Sequence, residues 1–332
     1  MQRWIGLLIL ACVTLGFSQT PDPLGTASDS TITCPKGKLK GTACHDLSIT
    51  GCKNTAKVHV YLKVIEPSGD SAGIAMFNAG GTVTGLYENF KYGDQALNDV
   101  VDAGYTAVEV SFGGPFTKTQ PNGWLVGSGG PRAAACNYAT AVSWAYKNLA
   151  RNGAAPLCLT GNSNGASLVG YALAHYGVDT KVAFAELTSG PPYADMVSGC
   201  DRLKGKAEAP CGEGRLGWGL GYDQILAFID PSYGTNPGPI CSETWQQKSH
   251  AWDSTLTHDS IMSGDEKLSY KGYTQFVLGG GDKSSAPNQT NSYFKAITSS
   301  KNLVCVPGAP HNLPDNLDGA IQVANDIIAY CK

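Results

Sequence analysis

The chain has 332 residues, a length between one large domain and two small ones, and only 15% of them are charged, against ~25% for an average soluble protein. Twenty-four basic residues against 27 acidic leave a formal charge of −3, so no basic surplus exists to neutralise phosphates and nucleic acid is disfavoured as a partner. An apolar fraction of 42% is enough to bury a core, which excludes a disordered polymer, and 41 glycines forecast tight turns and long loops.

At the N-terminus Arg3 precedes an apolar run from Trp4 to Phe17, and Gly16-Phe17-Ser18 places small residues at a cleavage site near Ser18. This reads as a signal peptide over 1–18, which implies secretion to an extracellular or periplasmic compartment. The run is shorter than the ~20 residues of a membrane span and carries no basic stop-transfer flank, so stable membrane insertion is not expected. Leu10-Ala11-Cys12 fits a lipoprotein site poorly, because the apolar run continues past the cysteine. Removing Cys12 leaves Cys34, Cys44, Cys52, Cys136, Cys158, Cys200, Cys211, Cys241, Cys305 and Cys331. An even set in a secreted chain reads as a disulfide framework of up to five bridges. Zinc is the competing use, but no C-x2-C or H-E-x-x-H spacing occurs. No cofactor or metal is expected, and the protein is expected to be a monomer.

Residues 19–55, rich in Ser, Thr, Gly and Lys, read as an irregular, disulfide-pinned N-terminal arm. Strand-like and helix-like segments then alternate over 56–332. His59–Ile65 is a β-branched, alternating strand, and Gly73–Phe77 a short buried strand followed by a Gly-rich turn. Residues 86–103 carry a helical pattern and Tyr105–Phe112 is a strand. A Gly/Pro-rich loop over 113–131 precedes a helix at about 132–151. Pro156–Thr160 is a strand, Asn164–Tyr176 a helix and Val182–Leu187 a strand. Regularity lapses over about 191–270 and resumes with strand Tyr273–Leu278, helix 290–299, strand Asn302–Val306 and a terminal helix, 316–330. This alternation predicts an α/β fold: a mostly parallel sheet with helices on both faces, and a cap inserted at about 191–270. Trp218, Trp245 and Trp252 in the insertion line a cleft or, as is commoner for aromatics, form a small core of their own. Gly217–Gly221 is too poorly framed for a dinucleotide loop, and Asn288-Gln289-Thr290 is a lone glycosylation sequon of little weight.

Strand 156–160 ends in Gly161-Asn162-Ser163-Asn164-Gly165 just before a helix. This is G-x-S-x-G in the strand–turn–helix context its chemistry needs, with Ser163 as candidate nucleophile. The turn is so sharp that side chains two before and two after the serine would clash. Of six histidines, His311 follows the last strand at the carboxyl edge, where α/β sites form, and is the candidate base. Asp282 ends strand 273–278 one strand earlier and is the candidate carboxylate, with Glu186 and Asp195 as rivals. Asp315 and Asp318 follow His311 closely and read as caps of the terminal helix.

On these motifs, together with the Gly-Gly-Gly-Asp282 turn and the Pro-His311 loop, the chain over about 57–332 resembles a secreted member of the α/β-hydrolase superfamily. Phe77-Asn78-Ala79-Gly80-Gly81 is similar to the His-Gly-Gly-Gly oxyanion turn of some lipases and esterases, with Asn78 and Ala79 departing from it. The resemblance implies an oxyanion hole from Gly80, Gly81 and the N–H of Asn164. It implies a serine esterase working through an acyl-enzyme on a small-molecule or polymeric ester. A depolymerase of polyesters or acylated polysaccharide and a serine peptidase of the same fold are the alternatives, and a non-catalytic binding protein a third. The insertion is polar and holds three cysteines, which favours short acyl groups over long-chain triglyceride.

Overall fold

The computed structural model describes residues 20–116, 123–201, 210–212, 221–234, 238–247, 250–263 and 268–332. The signal peptide expected over 1–18, Trp218 and most of the 217–221 glycine run lie outside them.

The described strands form one sheet: β1 (Thr26–Thr31), β2 (Ala43–Thr50), β3 (Val58–Ile65), β4 (Ile74–Asn78), β5 (Thr106–Ser111), β6 (Leu157–Asn162), β7 (Phe184–Thr188), β8 (Tyr273–Gly279) and β9 (Lys301–Val306). Their spatial order is β1-β2-β3-β5-β4-β6-β7-β8-β9. The pairs β1–β2, β2–β3 and β3–β5 are antiparallel, and every pair from β5 to β9 is parallel. Strands β4, β6 and β7 are buried at every position, as a parallel sheet covered on both faces requires.

Helices α1 (Gly93–Asp102) and α9 (Leu317–Tyr330) cover one face, packing Leu97, Val100, Val323 and Ile327 against Phe77 and Phe184. Helices α2 (Gly130–Asn148), α3 (Asn164–His175) and α8 (Ala286–Ala296) belong to the other face, where Val142, Leu168 and Tyr293 join the larger core. Between β7 and β8 the chain carries the short helices α4 (Met196–Cys200), α5 (Tyr222–Gln224), α6 (Ile240–Gln247) and α7 (Asp253–Asp259). All ten cysteines among the described residues pair: Cys34–Cys44, Cys52–Cys136, Cys158–Cys331, Cys200–Cys241 and Cys211–Cys305. The last two pin the insertion, one internally and one to β9.

Several expectations need correction. The N-terminal arm is not irregular, because β1 and β2 extend the main sheet and the boundary placed at 55/56 cuts through it. Only Cys44, Leu47 and Ile49 of β2 are fully buried, so a strand with one half-solvated face showed little apolar pattern. The helical pattern at 86–103 divides into a 3-10 turn, Tyr87–Asn89, and α1. Helix α8 starts at Ala286, four residues early, with Pro287 in its first turn, where a missing N–H costs nothing. The cap of α9 is Asn316, whose side chain accepts the Gly319 N–H, rather than Asp315 or Asp318. Trp245 and Trp252 pack against the core, and Trp252 Nε1–H donates to Glu243 at 3.0 Å; neither lines the cleft described below. Asn288 of the sequon is buried in α8.

Candidate active site

Ser163 is the single residue between β6 and α3, at φ 57° and ψ −117°. A non-glycine residue there is strained, and the strain holds its side chain up from the sheet edge. The flanking glycines are obligatory on distance. A Cβ on Gly161 would lie 2.4 Å from the Gly165 carbonyl, and one on Gly165 would lie 2.5 Å from the Ala79 oxygen. The serine N–H is tied to the Thr188 carbonyl of β7 at 2.9 Å.

His311 follows β9, and its Nε2 lies 2.8 Å from Ser163 Oγ. Its Nδ1 lies 2.8 Å from Asp282 Oδ2, beyond the end of the adjacent β8. Asp282 Oδ1 accepts the Ser284 N–H at 2.8 Å, so both carboxylate oxygens are engaged. Burial by itself would raise the Asp282 carboxyl. The hydrogen bond from His311, its charge and the Ser284 N–H outweigh burial and hold it below the usual carboxylate range.

The rivals sit elsewhere. Glu186 is wholly buried in β7, accepts Thr160 Oγ1–H at 2.8 Å, and is pushed well up by burial and by Asp326. Asp195 caps α4 by accepting the Ser198 N–H at 3.0 Å. His175 Nε2 faces the Ser260 carbonyl, and burial with the Arg132 charge pushes it down to about 3, which keeps it neutral. His45, His59, His250 and His258 are paired with Asp29, Asp46, Asp253 and Asp259.

The turn after β4 lies against the serine. A Cβ on Gly80 would meet Ser163 Cβ at 3.5 Å, and Gly81 is left-handed at φ 62°. Asn78, at the position of the histidine in the lipase-type turn, donates Nδ2–H to Tyr138 Oη and to the Thr160 carbonyl, both at 2.8 Å. It thereby fixes the end of β4 to β6. Asn164 opens α3, whose first N–H groups have no partner within the helix. Ser163, His311, Gly80, Gly81 and Asn164 all line one cleft of about 590 Å³. Among the described residues no cluster of His, Cys, Asp or Glu is placed to hold a metal ion.

No protein-family model and no curated protein matches the chain. Among solved structures it is similar to acetyl xylan esterase 1 from Thermoanaerobacterium sp., with a TM-score of 0.53 at 14% identity over 91% of this chain and 87% of that one. It is similar to an arylesterase, TM-score 0.53 and 14% identity over 96% and 89%, and to Est1E from Butyrivibrio proteoclasticus, 0.52 and 12% over 82% and 94%. The chain has the α/β-hydrolase fold. Likeness at these identities speaks for architecture only, so the chemistry rests on the site itself.

Within this α/β-hydrolase fold three contributors escaped sequence reasoning. Asn162 accepts the Leu313 N–H at 3.1 Å and Thr188 Oγ1–H at 3.2 Å through Oδ1, coupling the elbow to the His311 loop. Ser284 Oγ lies 3.2 Å from His311 Nδ1 and accepts the Ala286 N–H at 3.1 Å. Phe228, in the π-helical turn Ile225–Ile229, forms part of the cleft wall. The only sequence signal for any of them was the place of Asn162 inside the pentapeptide.

Proposed function

We propose that the protein is a secreted serine hydrolase that cleaves carboxylic esters through an acyl-enzyme. The observation that carries this reading is the unbroken pair of 2.8 Å contacts from Asp282 through His311 to Ser163, opening into a cleft at the carboxyl edge of the sheet. Ser163 Oγ attacks the ester carbonyl while His311 Nε2 takes its proton. The N–H groups of Asn164, Gly80 and Gly81 receive the negative charge that forms on the carbonyl oxygen. The tetrahedral adduct collapses, the C–O bond to the alcohol breaks, and His311 returns the proton to the leaving oxygen. Water, deprotonated by the same imidazole, then attacks the acyl carbon and frees Ser163. Asp282 holds the Nδ1–H tautomer and stabilises the imidazolium without taking the proton.

Five disulfides support an oxidising compartment, and no helix among the described residues is long and apolar enough to cross a membrane. The insertion supports short acyl groups. Its longest described helix is the eight-residue α6, and disulfides tether it. The test is fluorophosphonate labelling followed by p-nitrophenyl ester hydrolysis. Wild type is expected to label at Ser163 and Ser163→Ala to be inert to both. A native chain that does not label is a binding protein on this fold. Acetyl and butyryl esters are expected to exceed dodecanoyl esters in kcat/KM, and the opposite order or a rate jump at the micellar threshold would refute the short-acyl reading.

A further inference from the structure

Among the described residues lining the cleft, Asp315 is the one acidic side chain, and neither lysine nor arginine joins it. It ends the 3-10 turn Leu313–Asp315, four residues after His311. Its carboxylate is held by two uncharged donors: the Lys91 N–H reaches Oδ1 at 2.9 Å and the Asn312 amide reaches Oδ2 at 3.0 Å. A carboxylate has about four lone-pair sites, so each oxygen keeps capacity for a further donor. Neither donor cancels the charge.

The direction of the reaction says which half of the substrate meets this group. His311 Nε2 returns its proton to the departing alcohol, so the alcohol lies on the His311 side, and the acyl oxygen lies toward Gly80 and Asn164. Asp315 shares the His311 loop. The same cleft is lined by neutral hydrogen-bonding side chains, Asn89, Ser284 and Asn312, with Phe90 and Phe228 as apolar walls. An unneutralised carboxylate among neutral donors and acceptors takes hydroxyl hydrogens and repels anions.

We propose that Asp315 is a specificity-determining residue that accepts a hydroxyl of the alcohol half, so that the substrate is a neutral, hydroxyl-rich, carbohydrate-like ester and anionic alcohols are excluded. This rests on the ester-hydrolase reading. A site built to hydrogen-bond a substrate hydroxyl discriminates strongly against the analogue lacking it.

Two matched pairs test it in wild type, Asp315→Asn and Asp315→Ala. The first pair is glycerol monoacetate with propyl acetate, which lacks the two hydroxyls. The second is 4-acetoxybenzoate, with an anionic leaving group, and phenyl acetate. Wild type should favour the dihydroxy ester, and both variants should lower that kcat/KM ratio about tenfold, the usual effect of losing a charge-assisted hydrogen bond. In the second pair both variants should favour the anionic ester severalfold more than wild type does, relative to phenyl acetate and the more so at low salt. Either ratio staying within about twofold of wild type in both variants overturns the proposal. A wild type that hydrolyses none of the four and fails to label at Ser163 refutes the esterase reading instead. A labelled Ser163 with unchanged ratios refutes only the role of Asp315.

Discussion

A buried cluster of charge under the cleft wall should make stability fall as pH rises, and Glu109→Gln should abolish that component. Lys63 on β3 stands opposite Glu109 on β5, and its ammonium lies 2.7 Å from Glu88 Oε2 and 3.2 Å from Glu109 Oε2. All three side chains are essentially inaccessible to water. Two carboxylates share one cation, so the fully ionised cluster carries a buried negative charge. Burial, partly offset by Lys63 and reinforced by Glu88, pushes the Glu109 carboxyl from 4.5 up to about 7. A folded-state value above the unfolded one gives stability that is complete below the unfolded pKa and is lost as pH rises through the folded pKa. At about 1.4 kcal/mol per decade, the window from about pH 4.5 to 8 costs the folded state about 3 kcal/mol. Glutamine keeps an acceptor for the Glu88 N–H that now reaches Glu109 at 2.8 Å, and it does not titrate. The assay is urea unfolding of wild type and variant, disulfides intact, at both ends of that window. Other raised carboxyls, Asp179, Glu186, Asp230, Asp259 and Asp326, titrate in both proteins and cancel. The variant should gain about 3 kcal/mol on wild type between the acid and alkaline ends. A difference that does not change with pH refutes the reasoning.

Asp282→Asn should lower kcat by several orders of magnitude, by analogy with ~10⁴ for a triad carboxylate, while Glu186→Gln should leave it near normal. The reverse ranking in ester assays would reassign the acid. The mature protein, cleaved after its signal and so without Cys12, should show no free thiol on titration in denaturant without reductant, since its ten remaining cysteines are paired, and two or more thiols would contradict the framework. Removing Cys158–Cys331, which spans 173 residues and ties β6 to the C-terminal end, should cost on the order of 5 kcal/mol by loop entropy, read as a lowered urea midpoint. Gly165→Ala should abolish ester hydrolysis, because its Cβ would drive against the Ala79 and Asn78 carbonyls and displace the oxyanion turn; retained activity would show that the elbow relaxes.

Local pattern determined those parts of this protein in which one segment's own physics suffices. Parallel strands buried on both faces read as apolar runs, so β4, β6 and β7 were legible, as was the helix that follows Ser163. The G-x-S-x-G spacing announced a turn so tight that only glycine clears the crossing backbone. Chain order placed Asp282 and His311 after successive strands, which is why both could be nominated without knowing any distance. Tertiary structure decided what depends on residues far apart in the chain meeting. β2 became a strand because β3 offered it a partner and Cys44, Leu47 and Ile49 a core to enter. Asn162 braces the His311 loop across 151 residues of sequence. Asp315, which looked like a helix cap, lines the cleft because Asn316 already satisfies the helix and the Lys91 N–H draws the carboxylate aside. A cap, a strand or a brace is defined by the partner that satisfies a hydrogen bond or covers a face, and that partner comes from another part of the fold.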